Sequence, residues 1–389
     1  MLHPPLTKKE KMIMRHLLLA ATALTAVAGS AMAVDVKLYG TVNKAVMGYD
    51  DGRSAETNVV DNNLESTRFG LAAEKALDNG MAASALFEVE QNSNASNAIT
   101  QNSNGTGNNG TSRTPNGSTV TLTERMARVG LSGEWGGIYV GQQDVATDDA
   151  FAHDLTAATS VMNPNVGAWG GGLVFQRKNG ATWSNAQAGG TNLTPGLFAL
   201  GNDGALGSAD AIRYNSPIFN GFNGSLSTSQ GGNVDATVRY NGEVAGIKLD
   251  GALGHTMVNS ATTNYGVHQE TATMGSISAL HNSGLGATLA YYSQGLKNKT
   301  AGIEDPSLMY AKVGYAWDAY GVAVDYAAAK DPVAVSTDHE MDSYGVAADW
   351  TLADGVVVGA TVRNYSADVT GVTGIEDIMV GVANMRVKF

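Results

Sequence analysis

Sixteen stretches of alternating apolar and small or polar residues fill the region 35–389, and the segments between them are alternately long and short. In the stretch 81–89, for example, Phe87 and Val89 share one face, whereas Glu88 lies on the other. Successive side chains of a strand point to opposite faces, so this pattern predicts one face against lipid and one against water. Closing such a sheet pairs every backbone group, each of which would cost several kcal/mol if left unpaired in hydrocarbon. The predicted fold is therefore all-β, a 16-stranded antiparallel transmembrane β-barrel.

Short turns and long loops alternate between the predicted strands. The short connections contain turn-forming pairs such as Asn241-Gly242 and Asp354-Gly355. Bacterial barrels place short turns at the periplasmic rim and long loops outside, so the longest connection, 144–208, is predicted to be the third outer loop, called loop 3 below. The predicted strands span residues 35–49, 65–75, 80–91, 124–133, 137–143, 209–215, 221–229, 233–241, 244–255, 271–281, 285–294, 307–317, 319–329, 342–351, 355–366 and 377–389.

Composition narrows the alternatives. No run of eighteen apolar residues follows residue 33, so no membrane-spanning helix is predicted. The chain has no cysteine, which removes disulfides and thiolate ligands from consideration. The glycine spacing at 105–110 matches a dinucleotide-binding motif, but it lies in an Asn/Ser/Gly-rich run without the strand and helix that such a site needs. We predict a loop there, and no cofactor or metal site.

Residues 1–33 are predicted to be a signal peptide that is removed. Residues 12–28 combine a basic start with an apolar run, and Ala31 and Ala33 form a small-x-small cleavage signal. A membrane anchor is the alternative, but the apolar run is short for one. The remaining residues, 34–389, are predicted to form a single barrel domain. Losing four basic residues and one acidic residue moves the formal net charge from −12 to about −15, which argues against a nucleic acid partner.

Large aromatic residues cluster at the ends of the predicted strands that adjoin the short turns. Such a girdle is expected at the boundary between lipid and water. Its predicted members are Trp135, Phe219, Phe222, Trp317, Tyr320, Trp350 and Phe389.

Several runs of residues match those of a known family. They are VKLYG at 36–40, STRFGL at 66–71, RVGLSG at 128–133 and IRYNSP at 212–217, and the chain ends in Phe389. On the basis of these runs, the chain resembles the Gram-negative general porins, and it is most similar to the 16-stranded trimeric type. The resemblance covers essentially all of residues 34–389.

The resemblance implies a water-filled outer-membrane channel, not an enzyme, through which small hydrophilic solutes and ions diffuse passively. It implies a homotrimer in contact with outer-membrane lipid and lipopolysaccharide. It also implies that the barrel-assembly machinery reads the terminal aromatic strand, ending in Phe389, during biogenesis. Small residues on the outward faces would let neighbouring barrels approach closely. These residues are Ala73, Ala83, Ala85, Ala127, Gly381 and Ala383.

The resemblance further implies that loop 3 folds into the barrel and narrows it, with acidic loop groups facing arginines on the wall. Alternation independently turns four arginines toward water, because apolar residues occupy the opposite faces. The alternative is a scatter of ordinary solvated lumen charges. The predicted basic wall is Arg68, Arg128, Arg213 and Arg239, and the predicted acidic loop group is Asp144, Asp148, Asp149 and Asp154.

The sign of the ion selectivity stays open. Where related porins often carry an arginine after the glycine that ends strand 5, this chain has Gln142 and Gln143. Acidic residues also occupy inward positions, which weakens the predicted positive wall. They are Glu88, Glu90, Asp235, Asp325 and Asp349.

Two other functions stay open as alternatives. A barrel-borne hydrolase could use His153 and Ser160, although no nucleophile elbow or HExxH motif accompanies them. A substrate-specific channel could use aromatic residues of loop 3 as a stacking track. The candidates for that track are Phe151, Trp169, Phe175 and Trp183.

Overall fold

A computed structural model describes residues 34–101, 122–201, 206–259, 268–299 and 301–389. The predicted signal peptide and the predicted loop at 105–110 lie outside these ranges. Within the described residues, no helix is both long enough and apolar enough to cross a membrane. The helical segments described there are short 3₁₀ turns, at Ser96–Ala98, Val166–Ala168 and Pro195–Gly201.

Sixteen antiparallel strands close into one barrel, as predicted. Each strand pairs with the next along the chain, and the last pairs with the first. Strand β2 is interrupted, and its two segments, β2a and β2b, pair with successive parts of β1. The strands are β1 Asp35–Asp50, β2a Ala55–Asp61, β2b Thr67–Ala76, β3 Ala82–Gln91, β4 Leu122–Gly133, β5 Gly136–Asp144, β6 Ser208–Asn215, β7 Phe222–Ser229, β8 Asn233–Val244, β9 Ile247–Met257, β10 His268–His281, β11 Leu285–Lys297, β12 Ser307–Trp317, β13 Tyr320–Lys330, β14 His339–Ala353, β15 Val356–Val369 and β16 Ile378–Lys388.

The barrel closes where the two ends of the chain meet. Strand β16 pairs with β1 from Thr41 to Asp50. Beyond the last strand residue, the amide of Gly40 donates to the carbonyl oxygen of Phe389 at 2.9 Å, and the amide of Phe389 donates back at 3.0 Å. The terminal residue therefore continues the ladder, and the first and last strands leave no open edge at this seam.

One predicted turn is wrong. Asn241 and Gly242 lie within the paired part of β8, and the chain reverses at Ala245 and Gly246, which have φ values of 51° and 79°. Positive φ at both central residues is the geometry of a tight hairpin turn. Gly242 has a different role, because a Cβ there would come within 2.5 Å of the Tyr240 hydroxyl oxygen.

The outer surface carries the predicted apolar face and aromatic girdle. All seven predicted girdle residues are exposed. Rings stack from strand to strand along this rim, with centroids 5.8 Å apart for both Trp317–Tyr320 and Tyr320–Trp350. The amphipathic tips of such rings favour the boundary between lipid and water.

The inward face is not polar throughout, contrary to the prediction. Inward side chains of β10, β11 and β12, among them Met274, Tyr292 and Tyr310, are buried in one apolar cluster with Phe151 and Trp169 of loop 3. Burying each large apolar side chain contributes roughly 1.5–3 kcal/mol. The apolar inward positions therefore form a packing surface for loop 3, and water is excluded from this side of the lumen.

Candidate constriction site

Loop 3 leaves β5 and follows the inner wall, held first by hydroxyl groups. The Ala146 amide donates to the Ser227 Oγ of β7 at 2.8 Å. Further along, the His153 amide donates to the Ser276 Oγ of β10 at 3.1 Å. Small hydroxyl side chains on β7 and β10 thus satisfy loop amides that would otherwise be buried without partners.

Glycines on β12 and β15 let the loop approach the wall. A Cβ at Gly314 of β12 would lie 2.9 Å from the Ala157 amide nitrogen. One at Gly359 of β15 would lie 2.8 Å from the Ser160 Oγ. Real Cβ atoms essentially never come this close to another heavy atom, so these positions require glycine if the loop is to keep its path. The strand pattern of the sequence predicts neither this glycine track nor the hydroxyl anchors.

A buried ion pair fixes the middle of the loop. The Lys312 Nζ of β12 donates to Asp154 Oδ2 at 2.8 Å and to the Met162 carbonyl oxygen at 2.7 Å. The side chains of Lys312 and Asp154 are 0% and 3% exposed. Thr288 also donates to Asp154, at 2.9 Å. One lysine therefore holds both ends of the segment 154–162, and Asp154 lies against β12, not against the predicted arginine wall.

Two of the predicted wall arginines bind the start of the loop through its backbone. Arg213 Nη1 donates to the carbonyl oxygens of Asp144 at 3.0 Å and Val145 at 3.3 Å. Arg239 Nη2 donates to those of Ala146 at 2.8 Å and Asp148 at 3.0 Å. These two arginines thus lie close to loop 3, as predicted. Their described hydrogen bonds to the loop go to backbone oxygens and not to the aspartate side chains.

The other two predicted arginines have partners on the wall itself. Arg68 lies 3.6 Å from Glu65 and 3.9 Å from Glu88. The Arg128 guanidinium lies 4.7 Å from the centroid of the Tyr139 ring, a cation–π distance. Its Nη1 also donates to Gln143 Oε1 at 3.5 Å. Gln143 thus lies beside Arg128, at a position where a second positive charge would repel the Arg128 guanidinium.

The predicted acidic residues at the start of loop 3 differ in exposure. Asp148 is buried, whereas Asp149 reaches the aqueous space and has a φ of 61°. Asp144, at the end of β5, accepts a hydrogen bond from Ser208 Oγ at 2.7 Å. The pKa of Asp149 is raised, first because the crowded barrel interior desolvates its charge and second because the Asp144 carboxylate repels it.

Sequence alternation missed Arg125. By parity this residue should face lipid, but a bulge lets the pairing of β3 with β4 pass from Glu88–Met126 to Val89–Glu124 and skips Arg125. Arg125 therefore turns inward and contacts Glu88 at 2.8 Å. A bulge adds one residue to one strand and resets its alternation, so parity alone cannot locate it.

The proposed aromatic stacking track is not available to a solute. Phe151, Trp169 and Phe175 are fully buried in the cluster that fixes loop 3 to the wall. Trp183 lies apart from them, with the Lys178 ammonium 5.5 Å from its ring centroid. Three of the four candidate residues thus pack the loop and cannot touch a passing molecule.

The candidate hydrolase residues have separate partners. His153 Nδ1 lies 2.8 Å from Asp250 Oδ2, on β9. The Ser160 hydroxyl donates to Asp349 Oδ2 at 3.1 Å, on β14. Among the described hydrogen bonds none joins the serine to the histidine, so the pairing of nucleophile and base that such catalysis needs is missing there.

The comparison with protein families identifies the class of this barrel. The profile of the Gram-negative porin family matches residues 20–370. The chain therefore belongs to the Gram-negative porin family. It forms an outer-membrane channel for passive diffusion. No curated protein matches the sequence.

Solved structures have the same fold at low sequence identity. OmpT, an outer membrane protein of Vibrio cholerae, is 12% identical with a TM-score of 0.57, and the match covers 94% of this chain and 100% of that one. An anion-selective porin from Comamonas acidovorans is 15% identical with a TM-score of 0.55, covering 92% and 100%. OmpF of Salmonella typhi, in complex with daunomycin, is 13% identical with a TM-score of 0.52, covering 91% and 97%.

Proposed function

We propose that small hydrophilic solutes and ions cross this porin through the space between loop 3 and the wall formed by β2b to β6. The anchoring of loop 3 to the wall from β7 to β15 is the observation that carries this proposal. Because the loop covers that side of the lumen, the aqueous path is displaced toward the opposite side. Loop 3 then limits the size of the solutes that can pass, and the charges beside the path determine whether anions or cations pass more readily.

The proposed charge filter combines the basic wall with the exposed carboxylates at the start of loop 3. Arg213 and Arg239 hold this part of the loop in place, so Asp149 is presented to the path at a fixed position. Charges beside a narrow path with low-dielectric walls act on ions more strongly than the same charges in open water. Asp154 contributes to this filter indirectly, by fixing the loop.

Planar bilayer recordings test the proposed function. Purified protein should give stable unitary currents that rise linearly with salt concentration, and sugar uptake by liposomes that contain the protein should not saturate. Saturable flux of one solute class would instead support a substrate-specific channel. A protein that inserts as a folded barrel but conducts no ions would contradict the proposal.

We further propose that the protein assembles as a homotrimer. Lys44 lies between the outward-facing Val42 and Val46 and pairs with Asp61, which loop residues Ser93 and Asn94 cover. An ion pair at membrane depth is disfavoured against lipid, so this face is better suited to a neighbouring protein. One OmpT structure from Vibrio cholerae is described as a trimer form.

The remaining proposals concern biogenesis. Removal of residues 1–33 by a signal peptidase, recognition of Phe389 by the barrel-assembly machinery, and contact of the outer surface with lipid and lipopolysaccharide all accord with membership of an outer-membrane family. Residues 34–389 would then be the mature barrel domain.

A further inference from the structure

A chain of alternating charges crosses the lumen wall from β16 toward β5. Glu65, in the interruption of β2, forms ion pairs with Arg386 and Lys388 at 2.8 Å each. Glu65 is also 3.6 Å from Arg68, which in turn lies 3.9 Å from Glu88. Positive and negative groups thus follow one another across neighbouring strands, and each offsets the field of the next.

Glu88 occupies the centre of this chain. Its Oε1 accepts a hydrogen bond from Arg125 Nη1 at 2.8 Å, and its Oε2 accepts one from the Tyr39 hydroxyl at 2.8 Å. The Glu88 side chain is only 6% exposed. Arg125 also lies 3.9 Å from the carboxylate of Asp144, where loop 3 begins. A single wall carboxylate therefore contacts two arginines, Arg68 and Arg125, beside the proposed path.

The remaining wall arginines are held differently. The described hydrogen bonds of Arg128, Arg213 and Arg239 go to neutral oxygens of side chains and of the loop backbone. A neutral acceptor orients a guanidinium without cancelling its charge, whereas a carboxylate does both. The wall thus has one zone where arginine charge is compensated and another where it is less so.

We propose that Glu88 is a specificity-determining residue that sets the balance between anions and cations in the channel. It does so by compensating Arg68 and Arg125, so that these arginines contribute little to anion attraction. The inference rests on the proposed path between loop 3 and this wall. Removing one charge about 7 Å from the path, in a water-like medium, changes local ion concentrations by roughly threefold.

The test compares reversal potentials in asymmetric KCl for the parent and four variants. Glu88→Gln should raise the chloride-to-potassium permeability ratio by roughly sevenfold, because the local chloride concentration rises and the local potassium concentration falls by nearly threefold each. Glu88→Asp keeps the charge and should stay close to the parent. Glu74→Gln removes the same charge from a lumen-facing position on the neighbouring strand β2b, nearer the short turn, and should shift the ratio much less. Arg125→Gln should shift the ratio in the opposite direction, by a similar factor.

The outcomes separate this inference from the proposed function. A parent protein without conductance overturns the proposed function itself. A conducting parent in which Glu88→Gln and Glu74→Gln shift the ratio equally, or in which Glu88→Asp shifts it as much as Glu88→Gln, overturns only the role of Glu88. If Glu88→Gln yields no folded channel, Arg125→Gln decides, because an unchanged ratio there also overturns the role of Glu88.

Discussion

Replacing Lys312 with methionine should release loop 3 from the barrel wall. Methionine is close to lysine in length and shape but has no charge, so Asp154 would remain buried without its ionic partner. Breaking a buried ion pair in this way costs about 3–5 kcal/mol. Thr156 and Thr288 still donate to Asp154, so the lower end of this range applies. A loss of about 3 kcal/mol raises the ratio of detached to anchored loop by roughly 10².

A detached loop can swing into the aqueous path, so the expected result is a large increase in spontaneous closures. Single-channel recordings at fixed voltage measure the closed fraction directly. Lys330→Met is the matched control, because its pair with Glu340 spans 3.2 Å but is 65% and 58% exposed. Such surface pairs contribute about 0–1 kcal/mol, so closures should stay at the parent level.

The double variant Lys312→Met with Asp154→Asn removes both charges and should restore much of the parent behaviour, because no uncompensated charge remains buried. A Lys312→Met channel that closes no more often than Lys330→Met would refute the anchoring role of this ion pair. A double variant that closes more often than Lys312→Met alone would also refute that role, since the ion pair would then not be what anchors the loop.

Four further outcomes are expected. Replacing Arg68, Arg128 and Arg213 together by alanine should increase cation preference in asymmetric KCl. Added salt should reduce this change, because the Debye length is about 10 Å at 0.1 M. Unchanged reversal potentials would show that these residues are not part of the charge filter. Because the pKa of Asp149 is raised, acidification should remove its negative charge and raise anion preference at a higher pH than for an ordinary aspartate, and Asp149→Asn should abolish this step. Mass spectrometry of outer-membrane protein should give a mature N-terminus at Val34, and an unprocessed N-terminus would contradict it. Native mass measurement in mild detergent should give trimers, and monomers alone would count against that assembly.

Strand alternation predicted what depends on the two faces of a strand. It gave the sixteen strands and the inward direction of the four predicted arginines, because in a barrel the side-chain period is two and one face must meet lipid. It failed where a local event resets that period. The bulge that turns Arg125 inward inserts one residue, and the turn at Ala245 and Gly246 replaces the stronger turn signal at Asn241 and Gly242.

The partners of the predicted site residues depend on contacts between distant segments. Sequence proximity groups Asp154 with the other loop aspartates, but the loop advances along the wall and brings Asp154 to Lys312, 158 residues away. The apolar inward residues of β10 to β12 and the glycines opposite the loop have meaning only once loop 3 lies against them. A pattern read one strand at a time carries no information about such contacts.

Single cysteines test most directly whether the path lies beside the start of loop 3, because the chain has no cysteine of its own. Asp149→Cys places a thiol on an exposed position facing the proposed path, whereas Ala157→Cys places one on a position buried against the wall of β12 and β13. A bulky, water-soluble thiol reagent added during single-channel recording should reduce the unitary current of Asp149→Cys in one step and leave that of Ala157→Cys unchanged. Unaltered current through fully labelled Asp149→Cys would contradict the account.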